Sequence, residues 1–131
     1  MRSLILSFCL SLTLPGAAQA LDAAGFEAEV TGQTLSYTSG GYPYGAEQYL
    51  PGRVVIWQAE GGECRRGRWY EDGPKRICFV YDDAGVPQCW GFAREGKSLT
   101  ARFEGQAGGS LLREAGRSTV QLNCKAAFHG V

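Results

Sequence analysis

Hydrophobic and polar residues alternate along much of the chain with the two-residue period of a β-strand. The clearest segments are Thr34–Thr38, Ser98–Phe103 and Thr119–Cys124, and in the last of these Val120 and Leu122 fall on one face. Such alternation is typical of antiparallel strands that bury one face. We therefore predict a strand in each of the three segments.

Five further segments have the composition of strands, although their alternation is weaker. They are residues 48–50, 53–59, 67–71, 76–82 and 88–94. Turn-forming residues separate them, because Pro51-Gly52 suits a type II turn and Asp72-Gly73-Pro74, Asp83-Ala84-Gly85 and Glu95-Gly96 suit hairpins. Residues 105–116 form the one long connection, for which we predict a helical turn around Leu111-Leu112.

One segment near the N-terminus departs from the strand period. Asp22–Val30 is predicted to form a short helix, with Asp22 as its N-cap and Gly32 as its stop. Eight short strands at spacings of about 8–12 residues favour an all-β domain, either an antiparallel up-and-down β-barrel or an open sandwich. The barrel is the first choice, because closure removes the exposed edges of an open sheet.

The first twenty residues have the features of a secretory signal peptide. A basic start at Arg2 precedes the apolar run Leu4–Leu14, which is too short to span a bilayer, and Ala18-Gln19-Ala20 is a suitable cleavage site. We predict cleavage between Ala20 and Leu21, no membrane span, and a single mature domain over residues 21–131 in the periplasm or outside the cell.

Four cysteines remain in the predicted mature chain: Cys64, Cys78, Cys89 and Cys124. An even number in a small exported domain predicts two structural disulfides, and the spacings fit neither a zinc site nor a redox pair. A hairpin between residues 76–82 and 88–94 places Cys78 opposite Cys89, which leaves Cys64 for Cys124. The alternative pairing is Cys64 with Cys89 and Cys78 with Cys124.

The charge balance argues against a nucleic-acid-binding protein, and the candidate catalytic residues argue against an enzyme. The chain of 131 residues has 13 basic and 13 acidic side chains, without the basic excess of a nucleic-acid-binding protein. The single histidine, His129, lies near the C-terminus, and the carboxylate pairs Glu71-Asp72 and Asp82-Asp83 fall at hairpin ends. The basic cluster Arg65–Arg68 is interpreted as a solvated hairpin start. We expect no catalytic site, cofactor or metal.

Aromatic residues are the main candidates for a binding site. A loop rich in tyrosine and three predicted strands supply them, and their polar groups could orient a ligand in a pocket. The alternative is that these rings only fill the core of a small barrel. The candidate ligand-binding residues are Tyr42, Tyr44, Tyr49, Trp57, Trp69 and Trp90.

The segment from Tyr44 to Trp90 resembles a family of small exported bacterial proteins known only as a domain of unknown function. The matching motifs are YG-x-E-x-YLPGR-x-V-x-W, G-x-C-x-x-G-x-WY, ICF-x-Y and CW. The resemblance covers about half of the mature chain and implies an exported protein, without any activity or site residues. Gly67-Arg68-Trp69 is also similar to the G-x-W element of lipocalins, which place it in their first strand.

Two functions fit these observations. The first is a periplasmic or secreted binding module that holds a small apolar or aromatic molecule in a barrel. The second is a protein of the cell envelope that binds or inhibits another protein through an exposed patch, and that needs no cavity. The candidate patch combines residues 42–49 with Arg65–Arg68. An enzyme is the third and least favoured reading.

Overall fold

A computed structural model describes residue 12, residues 16–105 and residues 108–125 of the chain. It contains one α-helix, α1, at Ala23–Val30, and a 3-10 turn at Pro51–Arg53. The nine strands are β1 Gln19–Ala20, β2 Thr34–Ser39, β3 Tyr42–Leu50, β4 Val54–Ala59, β5 Cys64–Glu71, β6 Ile77–Tyr81, β7 Ala84–Glu95, β8 Ser98–Phe103 and β9 Leu111–Ser118.

The eight strands β2 to β9 form a closed up-and-down barrel. Each strand pairs with the next one along the chain in antiparallel fashion, and β9 pairs back onto β2. The barrel prediction is therefore confirmed over the open sandwich. The two-residue β1 lies outside this ring and pairs with Ala93 and Arg94 of β7. Because the ring is closed, each barrel strand has a neighbour on both sides. Most of its backbone N–H and C=O groups are therefore hydrogen-bonded.

The predicted last strand is wrong in position. Strand β9 occupies Leu111–Ser118, in the segment predicted as a connection with a helical turn, while Thr119–Cys124 runs outside the barrel. Its anchors there are side chains, since Thr34 Oγ1 donates to the Val120 carbonyl at 2.7 Å. The pattern of β9 is hard to read because the inward position after Leu112 is Glu114, whose carboxylate accepts from the backbone N–H of Leu99 at 2.7 Å.

Strand β3 is also longer than predicted. The sequence indicated a strand over residues 48–50 only, because Pro43 and Gly45 are typical of loops. In the structure Pro43 pairs with Thr38 at the open end of the strand, where a bulge follows Tyr37. A proline is tolerated at such a position because the ladder is already irregular there. This extension brings the residues before Gln48 into the barrel wall.

Both predicted disulfides are present, although the β6–β7 hairpin has a different turn from the one predicted. Cys78 lies directly opposite Cys89, as predicted, but the turn is at Asp82–Asp83 and not at 83–85. A bulge in β7 between its partners of Tyr81 and Phe79 restores the predicted register. The bridges are Cys78–Cys89 and Cys64–Cys124, with Cα atoms 3.9 and 5.8 Å apart. The alternative pairing is excluded.

The predicted helix is confirmed, and α1 closes one end of the barrel. Asp22 is the N-cap and accepts a hydrogen bond from the Gly25 N–H at 2.8 Å. Phe26 is fully buried, with its ring centroid 5.0 Å from that of Trp69 and 4.3 Å from that of Phe92. The helix therefore plugs this end of the barrel.

Gly67 is required by the close packing of β5 against β6. A Cβ atom at this position would overlap the carbonyl oxygen of Val80 and approach the Tyr81 ring to 2.8 Å. We expect Gly67→Ala to lower the free energy of unfolding by about 1–3 kcal/mol, measured by urea denaturation. The control is Gly85→Ala, because a Cβ there meets nothing within 4 Å. Equal effects of the two substitutions would contradict the assignment.

Candidate functional site

The barrel end opposite α1 holds a cavity lined mainly by aromatic rings. Alternate residues of every strand face the barrel interior, and at this end they leave a space of about 60 Å³. We call it the mouth cavity. Its lining residues are Tyr37, Tyr44, Glu47, Tyr49, Trp57, Arg65, Phe79, Tyr81, Gln88, Trp90, Phe92, Ala101 and Leu112.

The size of the mouth cavity limits what it can accept. Pockets for drug-sized ligands measure about 300–1,000 Å³, whereas a volume of about 60 Å³ is enough for a few water molecules or a group of a few heavy atoms. The rest of the interior is filled by the core of the barrel. The cavity can therefore take one small molecule, or one end of a longer molecule that extends out of the mouth.

Glu47 is the one acidic residue among those that line the cavity. It lies on β3 between Gly45 and Tyr49 and is only 3% exposed. Burial raises the pKa of its carboxyl to about 8, while the hydrogen bond from Tyr81 and the charge of Arg65 oppose the increase. The Tyr81 hydroxyl donates to the carboxylate at 3.1 Å. Glu47 therefore keeps its proton to a higher pH than an exposed glutamate does.

The hydroxyl groups of three tyrosines that line the cavity form hydrogen bonds there. Those of Tyr37 and Tyr49 lie 2.9 Å apart and share a hydrogen bond, and the third belongs to Tyr81. Burial raises the pKa of each of these phenols above its usual value. The hydroxyls therefore stay protonated at physiological pH, and they offer both donors and acceptors to a bound group.

Arg65 lies at the rim of the cavity and is held by a carboxylate of its own. Its guanidinium carbon is 4.7 Å from the Tyr81 ring centroid, and its Nε donates to Asp83 Oδ2 at 2.9 Å. The Arg65 Nη2 donates to the other oxygen of Asp83 at 2.9 Å. This pairing raises the pKa of Arg65 and lowers the pKa of Asp83. The two charges therefore neutralise one another beside the opening.

The structure brings four of the six predicted binding residues together. Tyr44, Tyr49, Trp57 and Trp90 line the mouth cavity. Two others lie elsewhere, since Tyr42 is 78% exposed on the outside and Trp69 is buried at the closed end. The binding role of these residues stays a prediction. No set of three or more candidate ligands for a metal ion occurs in the part of the chain that the structure describes.

Sequence reasoning missed the polar residues of the cavity. Tyr37, Glu47, Tyr81 and Gln88 line it, and Glu47 belongs to a segment predicted as a loop. The basic cluster Arg65–Arg68 was interpreted as solvated. Because side chains alternate along β5, Arg65 faces the mouth while Arg68 is exposed on the outer surface. Extending the alternation of β3 back from Tyr49 would have identified Glu47 as an inward-facing residue. His129 lies outside the described residues.

Comparison with known proteins found no matching protein family, curated protein or solved structure. The resemblance to a family of exported proteins of unknown function and the similarity to lipocalins therefore stay predictions. Gly67-Arg68-Trp69 lies in β5, the fourth strand of the barrel.

The buried carboxyl group of Glu47 predicts a pH-dependent stability. Its pKa is about 8 in the folded chain and near 4.5 when exposed. Between these values the unfolded chain loses a proton that the folded chain keeps, so the contribution of Glu47 to stability falls as pH rises through this window. We expect Glu47→Gln to remove this contribution. Denaturation of both proteins from about pH 5 to pH 9 tests it, and parallel curves would contradict the prediction.

Proposed function

We propose that this protein is a binding module for a small molecule, and that the mouth cavity is its site. The observation that carries the proposal is a cavity with aromatic walls and a buried carboxyl group at one open end of a closed barrel. Apolar walls with a few convergent polar groups are the usual composition of a small-molecule site. A strongly perturbed titratable group in such a cleft also favours a functional role.

The two disulfides indicate an oxidising environment outside the cytoplasm. Export through a signal peptide is consistent with the core, because residues 16–20 are exposed and the first core residue is Leu21. The Leu21 nitrogen donates to the Phe92 carbonyl at 2.9 Å, a bond that a new N-terminal ammonium group can also make. Within the described part of the chain, no helix is long and apolar enough to span a membrane.

We therefore expect the mature protein to begin at Leu21. Cleavage after Ala20 removes β1 and leaves the barrel and its core complete, so the processed chain should be as stable as the longer one. N-terminal sequencing of protein taken from the periplasm or the medium measures the start directly. A mature protein that still began at Met1 would contradict the proposed localisation.

Tryptophan fluorescence tests the binding proposal. Trp57 and Trp90 line the cavity, so a ligand that enters should change the emission of the protein. A panel of small apolar, aromatic, cationic and anionic molecules covers the ligand classes. The control is Trp57→Phe, which should reduce the signal while the fold is kept. If every probe leaves the emission of the folded protein unchanged up to millimolar concentrations, the proposal fails.

An interaction protein is the second candidate, favoured by two exposed apolar side chains near the open end. Tyr42 is 78% exposed and Val86 is 76% exposed. Such residues at a rim can anchor a partner protein. A photo-crosslinking amino acid at position 42 tests this function in living cells, with position 97 at the opposite end as the control. Discrete adducts from position 42 alone would favour it over the binding module.

A further inference from the structure

We propose that the mouth cavity recognises an organic cation, specifically the ammonium group of a small alkylamine, with Glu47 as its counter-ion. This inference rests on the proposed function and names the class of ligand. Its basis is the combination of an incompletely paired buried carboxyl group with an aromatic enclosure.

The carboxyl group of Glu47 has unused capacity for hydrogen bonds. Its two oxygens share one donor, the Tyr81 hydroxyl, at 3.2 and 3.1 Å. An ionised carboxylate has about four acceptor positions, and among the described residues no other group donates to it. An ammonium group has three donors. A bound alkylammonium would therefore fill positions that the barrel leaves open.

Among the described residues, no cationic side chain forms an ion pair with Glu47, although the nearby charge of Arg65 favours its ionised form. Arg65 is the one cationic side chain among the residues that line the cavity, and its guanidinium is occupied by Asp83 through both Nε and Nη2. A buried carboxylate that lacks a partner carries a large desolvation cost. A ligand cation would offset this cost, whereas a ligand anion would add a second negative charge beside Glu47.

Aromatic rings also line the cavity in which the cation would lie. The walls include the rings of Tyr37, Tyr49, Tyr81, Trp57 and Trp90. A cation within about 6 Å of such a ring is attracted by the negative charge density of its face. The small volume suits an ammonium group, and the alkyl chain would leave through the mouth along Tyr44 and Leu112, which also line the cavity.

Glu47 is the group around the cavity whose protonation is expected to change on cation binding. Tyr37 from β2, Tyr49 from β3 and Tyr81 from β6 keep their protons, since burial raises the pKa of each phenol. Arg65 from β5 stays charged with Asp83 of the β6–β7 turn. Glu114 from β9, the remaining acidic group near Tyr37, is paired with Arg117 at 2.6 Å. Strands β4 and β7 contribute the non-titrating side chains Trp57, Gln88, Trp90 and Phe92.

Cation binding should therefore release a proton. Below about pH 8 the carboxyl group of Glu47 is mostly neutral, and pairing with an ammonium group ionises it. The apparent affinity for the cation should increase by up to tenfold per pH unit as the pH rises towards this value. Calorimetry in two buffers with different ionisation enthalpies would detect the released proton directly.

The experiment compares three probes of similar length: n-butylamine as its ammonium ion, neutral n-pentanol and butyrate. Titrations use the mature protein, Glu47→Gln and the matched control Glu60→Gln, whose residue is exposed on the β4–β5 turn. We expect butylammonium to bind more tightly than the other two. Glu47→Gln should weaken it at least tenfold near pH 8 and remove the pH dependence, while Glu60→Gln should bind like the unmodified protein.

A second variant covers the case in which Glu47→Gln does not fold. Tyr81→Phe keeps the ring but removes the one donor to the carboxylate, so the steep part of the pH dependence should move to higher pH. The cation assignment is overturned if pentanol or butyrate binds as tightly as butylammonium, or if neither variant changes its binding. Binding of pentanol alone would overturn the cation assignment but still support a binding module. If no probe of the fluorescence panel changes the emission, the proposed function itself is rejected.

Discussion

Replacing Trp69 with alanine should lower the free energy of unfolding by about 3–5 kcal/mol. Trp69 is 2% exposed, and its ring packs edge-on against Phe26 of the plugging helix at a centroid distance of 5.0 Å. The Arg53 guanidinium covers the ring at 4.5 Å and also bonds to Glu27 of the helix. The substitution would leave a cavity at the closed end and loosen the contact between the helix and the barrel.

Urea denaturation, followed by circular dichroism, measures this effect. The control is Tyr42→Ala, since Tyr42 is largely exposed and its loss should change stability by about 0.5 kcal/mol or less. A change below about 1 kcal/mol for Trp69→Ala would show that the closed end does not depend on this ring. Binding at the mouth should persist in the variant under conditions in which it is folded, because Trp69 does not line that cavity.

Removing the Cys64–Cys124 bridge by a double alanine substitution should lower stability by about 4 kcal/mol. The bridge closes a segment with a sequence separation of 60 residues, so its loss returns much conformational freedom to the unfolded chain. It also anchors the extended segment after β9, in which the Leu122 N–H donates to Gln48 Oε1 at 3.0 Å. That segment covers part of the outer face of β3.

Thermal and urea denaturation of the double variant measure the loss, with the unmodified protein in the absence of reductant as the reference. Peptide mapping without reduction should yield fragments that link Cys64 to Cys124 and Cys78 to Cys89. A fragment that linked Cys64 to Cys89 would contradict both the pairing and the register of the β6–β7 hairpin. A loss below about 1 kcal/mol would show that the extended segment adds little to the stability of the barrel.

Features that depend on residues adjacent in the sequence are predictable from the chain alone. The cap at Asp22 and the change of period after Gly32 defined the helix and the first barrel strand, because capping and face alternation are local effects. The pairing of Cys78 with Cys89 was predicted from the short hairpin, although the predicted turn was one residue out of place and a bulge in β7 compensates for the difference. Frequent turns between short alternating segments were enough to indicate an antiparallel meander.

Contacts between distant parts of the chain determine which segment closes the barrel and which polar residues become buried. Thr119–Cys124 alternates more regularly than Leu111–Ser118. The last strand is nevertheless Leu111–Ser118, which pairs with both β8 and β2 and so closes the barrel. Glu47 is buried because β3 extends through this position in the barrel wall, where Glu47 pairs with Leu35 of β2 and Trp57 of β4. Burial of a charge is a non-local event whose cost and compensation come from residues on other strands. The mouth cavity therefore exists only once the eight strands have closed.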